Sequence, residues 1–164
     1  MELNRRKLDF RKAITILYIV AFSFYLFIGF RPADATAYEI SNGLAIPSIN
    51  LISGVTSLEL KDRKLDTPST IVGSYSNSMN KTFLIGHSST VFQNLKSVKV
   101  GESIYYDDKE YKITEMQTLK KSDVDMGDVL KAEDVDTVVI MTCAGETISK
   151  TDATHRLLVT AVRI

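Results

Sequence analysis

The chain has one cysteine, Cys143, and only two histidines and three prolines. A lone cysteine excludes an internal disulfide, the usual employment of cysteine in an exported domain. Two histidines and one cysteine at these separations make no zinc site. Net charge is also missing, with 20 Lys/Arg against 20 Asp/Glu. The balance is uneven: Met1 to Phe30 carries five Lys/Arg and two Asp/Glu, net +3, and the rest carries fifteen and eighteen, net −3. An acidic remainder implies no nucleic-acid surface. Repeats and low-complexity tracts are absent as well.

Long apolar runs are scarce, and the one present is informative. Ala13 to Phe30 contains no charged residue, and at about 1.5 Å per residue its length is roughly 27 Å, close to one hydrocarbon core. It is apolar all round, so it does not suit an amphipathic core helix. A single-pass transmembrane helix over 13–30 is expected. Arg5, Arg6, Lys7, Arg11 and Lys12 precede it and only Arg31 follows at once, which puts residues 1–12 in the cytoplasm and the rest outside. Ala33-Asp34-Ala35 has the pattern of a signal cleavage site, but the apolar run exceeds the usual signal core of about 7 to 15 residues, favouring a retained anchor. Residues 31–42, polar and containing Pro32, suit a linker. The remainder, 43–164, has room for one domain, and a 45% hydrophobic composition is enough to fill one core.

From Gly43 onward the chain reads as short runs rich in Val, Ile, Thr and Tyr, separated by Gly, Asn, Asp and Ser. Eight strands are predicted: Leu44 to Ile49, Thr56 to Leu60, Thr70 to Gly73, Thr82 to Ile85, Ser103 to Tyr106, Glu110 to Thr118, Thr137 to Cys143 and Arg156 to Val162. Asp107-Asp108 predicts a tight hairpin turn. Ser88-Ser89 predicts a cap for one or two helical turns over 90–95, and a helical turn is expected near 129–132. Many short strands with little helix indicate an all-β barrel or sandwich. The last two strands are apolar on both faces, which marks them as central.

Cys143 ends a central strand where Ala144-Gly145 opens a loop, a rigid support near solvent that suits a nucleophile. A thiol of ordinary pKa about 8.5 needs a base or cationic neighbour to react near neutral pH. His87, placed after Phe83-Leu84-Ile85 by Gly86, is the candidate. Arg156, at the start of the last strand, offers fixed, always-charged donors for an oxyanion. Neighbouring residues on a strand face opposite ways, so either His155 or Arg156 can face the cysteine, and His155 is assigned a structural role. Taken singly, each residue has a plainer reading: a buried hydrophobe, a turn histidine, and an arginine paired with Asp152 or Glu146.

The combination resembles the sortase family of cysteine transpeptidases, whose signature is a T-L-x-T-C strand, an upstream histidine and a downstream arginine. Here the strand reads Val139-Ile140-Met141-Thr142-Cys143, with Thr142 and Cys143 matching strictly. Leu44-Ala45-Ile46-Pro47-Ser48-Ile49 is similar to the family's first strand, Phe83 to His87 to the segment ending in its histidine, and Val100 to Ile104 with Asp107-Asp108 to its hairpin. The resemblance implies a closed eight-stranded β-barrel with short helices. It implies Cys143, His87 and Arg156 as catalytic residues and Ile140, Thr142 and Ala144 beside the substrate. The implied reaction cleaves a sorting signal similar to Leu-Pro-x-Thr-Gly through a thioacyl intermediate and passes the acyl group to an amine, such as a cell-wall precursor. No Asp-Pro-aromatic lid precedes the first strand and no second apolar run follows Ile164, which is similar to the housekeeping-like or related small sortases. No cofactor is implied. Calcium, which some sortases bind near the acidic connection holding Asp123, Asp125 and Asp128, is a minor expectation because the spacing is not that of an EF-hand. Two rivals stand beside this reading. One is an anchored binding or scaffold module with an inert cysteine. The other is a cell-wall cysteine peptidase, against which the order of histidine before cysteine counts.

Overall fold

The computed structural model describes residues 41–164 apart from 63, 79 and 150. The expected basic N-terminus, the helix over 13–30 and all but the last two linker residues lie outside the described residues. Among the described residues no helix is long and apolar enough to cross a membrane.

Eight strands form one closed barrel. They are β1 (Gly43–Ile46), β2 (Leu51–Ser57), β3 (Val72–Ser78), β4 (Lys81–Ile85), β5 (Ser103–Tyr106), β6 (Lys109–Lys120), β7 (Thr137–Ser149) and β8 (Asp152–Arg163). The order around the barrel is β1-β2-β3-β4-β7-β8-β6-β5, with β5 closing onto β1. Two neighbouring pairs, β2 with β3 and β4 with β7, are parallel. Parallel partners cannot be joined by a tight turn. The chain therefore crosses the barrel between them, and the long connections this needs, 58–71 and 86–136, include the segments that surround the site.

The expected β5–β6 hairpin is present. Tyr106 pairs with Lys109, and the two intervening residues, Asp107 and Asp108, have φ of 49° and 58°. Two left-handed residues give the turn whose twist matches the flanking strands. The expected first strand stops early because Pro47–Ile49 forms a 3-10 turn. The chain then returns as β2 seven residues long, where a strand over 56–60 was predicted. β3 begins two residues later than predicted and runs on to Ser78. The helical turn expected near 129–132 is α1 (Met126–Val129), with the Asp125 side chain accepting from Gly127 N at 2.7 Å. Residues 88–94 form consecutive turns that end in a 3-10 turn, Leu95–Ser97, in place of the predicted capped helix.

β7 and β8 carry apolar residues on both faces, and both faces are used. Val138, Ile140, Leu157, Val159 and Ala161 join the barrel interior with Leu44, Leu84, Phe92 and Tyr111. Val139, Met141 and Leu158 join Phe83 in a second cluster outside the barrel wall, covered by Leu65, Val124, Met126 and Leu130 from the connections. Each buried side chain of this size contributes about 1.5–3 kcal/mol of transfer free energy. The outer cluster therefore fixes how the β6–β7 connection lies across β4 and β7.

Candidate active site

β4 and β7 run in parallel, with Ile85 opposite Met141 as the last pair. Two residues beyond that pair lie His87 on one chain and Cys143 on the other. The juxtaposition is braced by Thr142, whose buried hydroxyl donates to Gly86 O at 2.8 Å. Gly86 is needed here for close approach. A Cβ at this position would lie 2.5 Å from Val91 Cγ1 and 2.8 Å from the Phe92 ring, so a larger residue would push His87 and the following turn away from β7.

Antiparallel pairing sets Arg156 directly opposite Cys143 and His155 opposite Ala144. The alternative left open by the sequence is thus resolved: Arg156 shares the face of Cys143. The His155 ring lies against Thr154, with Nδ1 2.8 Å from Oγ1. Gly145, at φ +76°, leaves room for that ring, since a Cβ there would sit 2.5 Å from His155 Nδ1.

His87, Cys143, Arg156, Thr67, Met141 and Thr151 are among the residues lining a cleft of about 100 Å³. Cys143 is half-buried and opens on this cleft, unlike the inert core cysteine of the rival reading. Its thiol donates to Thr151 O at 3.7 Å. Arg156 is 14% exposed, and Nη1 donates to Ala153 O and His155 O, both at 2.9 Å. Nη2 donates to Asp152 Oδ1 at 2.7 Å. Asp152 Oδ2 in turn accepts from Lys121 Nζ at 2.6 Å. Lys121 first and Arg156 second hold the Asp152 carboxyl well below the usual carboxylate range, at about 2. The salt bridge foreseen as the plainer reading of Arg156 therefore exists. A guanidinium has five N–H donors, and among the described residues these contacts occupy three of them. Two have no protein acceptor among the described residues.

A larger apolar groove of about 430 Å³ adjoins the cleft, sharing Ile85 and Met141 with it. Leu60, Leu65, Phe83, Met126 and Leu130 complete its walls. Of Ile140, Thr142 and Ala144, expected beside the substrate, Thr142 lines the cleft together with Cys143. Ile140 lies wholly in the interior cluster, Ala144 packs on the edge of that cluster, and the Thr142 hydroxyl is engaged by Gly86. Ile140 and Ala144 occupy even positions on β7, and side chains alternate along a strand, so they face away from Cys143. The odd-numbered Met141 is the β7 side chain that reaches the groove. The same alternation could have identified it in the sequence; the groove residues of the long connections carried no comparable signal.

No group of three or more His, Cys, Asp and Glu residues that could hold a metal ion is present among the described residues.

With this geometry in hand, the comparisons are decisive. The family model described as "Sortase domain" matches residues 44–164. The chain belongs to the sortase family. Sortases are cysteine transpeptidases, and the barrel, its strand order and the placement of Cys143 on β7, paired with Arg156 of β8, fit that family. Solved sortases share the fold. Sortase A from Corynebacterium diphtheriae is 20% identical, with 74% of this chain and 59% of that chain covered and a TM-score of 0.57. Sortase C-1 from Actinomyces oris is 25% identical over 74% of this chain and 70% of that one, with a TM-score of 0.56. Listeria monocytogenes sortase A is 20% identical over 77% and 88%, with a TM-score of 0.56. A sequence comparison with proteins of curated function finds no match.

Proposed function

We propose that this sortase cleaves an LPXTG-like sorting signal through a thioacyl intermediate on Cys143 and transfers the acyl group to an amine acceptor of the cell wall or of another surface protein. The observation that carries this reading is the pairing of Cys143 with Arg156 across β7 and β8, beside His87, at the mouth of an apolar groove.

The apolar residues of the signal fill the groove between Phe83, Leu130 and Met141, and the scissile carbonyl lies in the cleft. Cys143 Sγ leaves its contact with Thr151 O, gives its proton to His87 and attacks the carbonyl carbon, forming a C–S bond. The two free N–H groups of Arg156 receive the negative charge that develops on the oxygen, a task suited to donors whose position is fixed beforehand. The C–N bond breaks, and His87 delivers a proton to the departing amine. An acceptor amine then attacks the thioester, and His87 takes its proton and passes it to Sγ as the C–S bond breaks, which restores the thiol. Residues 13–30 anchor the enzyme in the bacterial membrane as a single pass, with the N-terminus cytoplasmic and the barrel outside, beside both substrates.

Incubation with a panel of sorting-signal peptides followed by intact mass spectrometry tests the chemistry. An acyl adduct on Cys143 that disappears on adding an amine is expected. A thiol that alkylates readily yet never gains an acyl group from any peptide would sink the reading. Leu130→Asp, which puts a charge in the groove, should raise KM for the peptide by about tenfold or more, since burying an unpaired carboxylate is costly. Protease added to intact protoplasts should remove the barrel; survival until lysis would refute the orientation.

A further inference from the structure

Asp152 stands outside the cysteine, histidine and arginine that the proposed reaction uses, yet both of its carboxylate oxygens are committed. Oδ1 receives Arg156 Nη2 at 2.7 Å and the backbone N–H of Ala153 at 2.9 Å, and Oδ2 receives Lys121 Nζ at 2.6 Å. We propose that Asp152 is a positioning residue for Arg156 and that, through Lys121, it ties the arginine to the connection lining the apolar groove. This inference rests on the transpeptidase reading above.

An arginine side chain reaches its target through a flexible stem, and its planar fork is useful only when aimed. Asp152 and Arg156 are four residues apart on β8 and so share a face. The carboxylate, together with Ala153 O and His155 O, fixes the plane of the guanidinium and leaves two donors unspent. Lys121 opens the β6–β7 connection as the first residue of a 3-10 turn, Lys121–Asp123. Farther along the same connection, Met126 and Leu130 wall the groove. The hairpin bearing Cys143 and Arg156 and the loop bearing the groove wall thus meet at one carboxylate. Thr151, the residue before Asp152, holds the Cys143 thiol. Consecutive residues therefore restrain both reacting side chains.

A stabilising role alone does not account for the arrangement. Lys121 and Asp152 are partly exposed, at 52% and 27%, and ion pairs of this kind contribute little to stability. The effect of removing Asp152 should therefore appear in the aim of Arg156.

The test uses the full-length protein with a peptide that wild type turns over and an amine acceptor. Asp152→Ala should lower kcat by about 10- to 100-fold, the scale of a misplaced catalytic group, with KM changed less than about twofold. Asp152→Asn keeps an acceptor for Nη2 and should recover most of that loss. Lys121→Ala should act in the same direction and more weakly. In an Arg156→Ala background, Asp152→Ala should cost nothing further. An equal loss in both backgrounds, or an Asp152→Ala kcat within twofold of wild type, overturns the proposal. Nitrogen-15 NMR of the Arg156 guanidinium gives a readout independent of turnover: slowly exchanging Nη signals are expected in wild type and should be lost in Asp152→Ala. Persistence of those signals also overturns the proposal. If wild type turns over no peptide, the transpeptidase reading fails while the NMR result still decides the role of Asp152. Should Asp152→Ala fail to fold, Asp152→Asn and Lys121→Ala carry the same comparison.

Discussion

Each end of the β7–β8 pair has an aspartate that joins two cations, and the two serve different purposes. Just before β7, Asp136 meets Lys109 at 3.2 Å and Arg163 at 3.8 Å. At the other end, Asp152 meets Lys121 and Arg156. The exposure of the two carboxylates is similar, at 21% and 27%. The third partner makes the difference. Asp136 also accepts from the hydroxyl of Tyr111 at 3.2 Å, and that ring is buried in the barrel interior. Burial first, and the Asp136 charge second, push the Tyr111 hydroxyl pKa well up. A buried hydroxyl without a partner is costly, whereas an exposed ion pair is not worth much. The Asp136 end therefore contributes to stability, and the Asp152 end leaves the cation beside Cys143 with donors to spare. Similar local chemistry yields a clasp in one place and a poised site in the other.

The strongest way to break this comparison is at the reacting end. Cys143→Ala should abolish acyl transfer, and His87→Ala should cost about 10²- to 10⁴-fold, with melting temperatures close to wild type in calorimetry. Unfolding of either variant would make the site end a stability element too. Arg156→Lys keeps the charge and loses the fork; initial rates should fall by about 10²-fold or more, the scale of a lost oxyanion donor. Rates near wild type would reduce Arg156 to a surface ion pair.

The opposite end should respond in the other currency. Asp136→Ala leaves the Tyr111 hydroxyl unsatisfied and should cost about 1–3 kcal/mol in a urea titration, with kcat per folded molecule retained. A sharper comparison comes from pH. Because the Asp152 carboxyl is held low in the folded protein, its contribution is fully present above the ordinary carboxylate range and is lost as pH falls toward about 2. Carbon-13 NMR should find its midpoint there in wild type and nearer the ordinary value of about 3.9 in Lys121→Ala. The smallest effect is expected from His155→Ala, whose ring faces away from Cys143; less than about a twofold change in rate should follow. A large loss there would mean the final strand presents the other face.

The sequence carried the architecture further than the details of the site. Alternation and turn chemistry were enough for eight strands, for the Asp107-Asp108 hairpin and for the doubly buried β7 and β8. Strand ends fared worse where geometry departs from burial. Pro47 stops β1 through a 3-10 turn that its apolar neighbours conceal. β7 continues six residues past Cys143, and β8 begins four before Arg156, because the hairpin stays paired beyond the core, where residues 145–149 of β7 are exposed. Hydrophobic periodicity cannot report such an extension. Cys143 and His87 could be named because cysteine and histidine are rare in this chain, whereas Arg156, one of seven arginines, stood out only through the family-like order of the three. The groove could not, since Leu60, Leu65, Met126 and Leu130 read as ordinary apolar residues in loops until the crossovers bring them together.

The parallel pairing of β4 with β7 has a further consequence, for the order of events in folding. Thr142 and Gly86, whose hydrogen bond braces the site, are 56 residues apart in sequence. Closing a flexible loop of that length costs on the order of 3–4 kcal/mol in chain entropy, recovered only once β5, β6 and the outer apolar cluster are in place. Pairings of such long range form late and slow the whole process. A nascent or partly unfolded chain therefore possesses its thiol well before it possesses a histidine beside it or a groove to fill. In the proposed reaction, Cys143 gains its partners only with the completed barrel, so an unfinished molecule is not acylated.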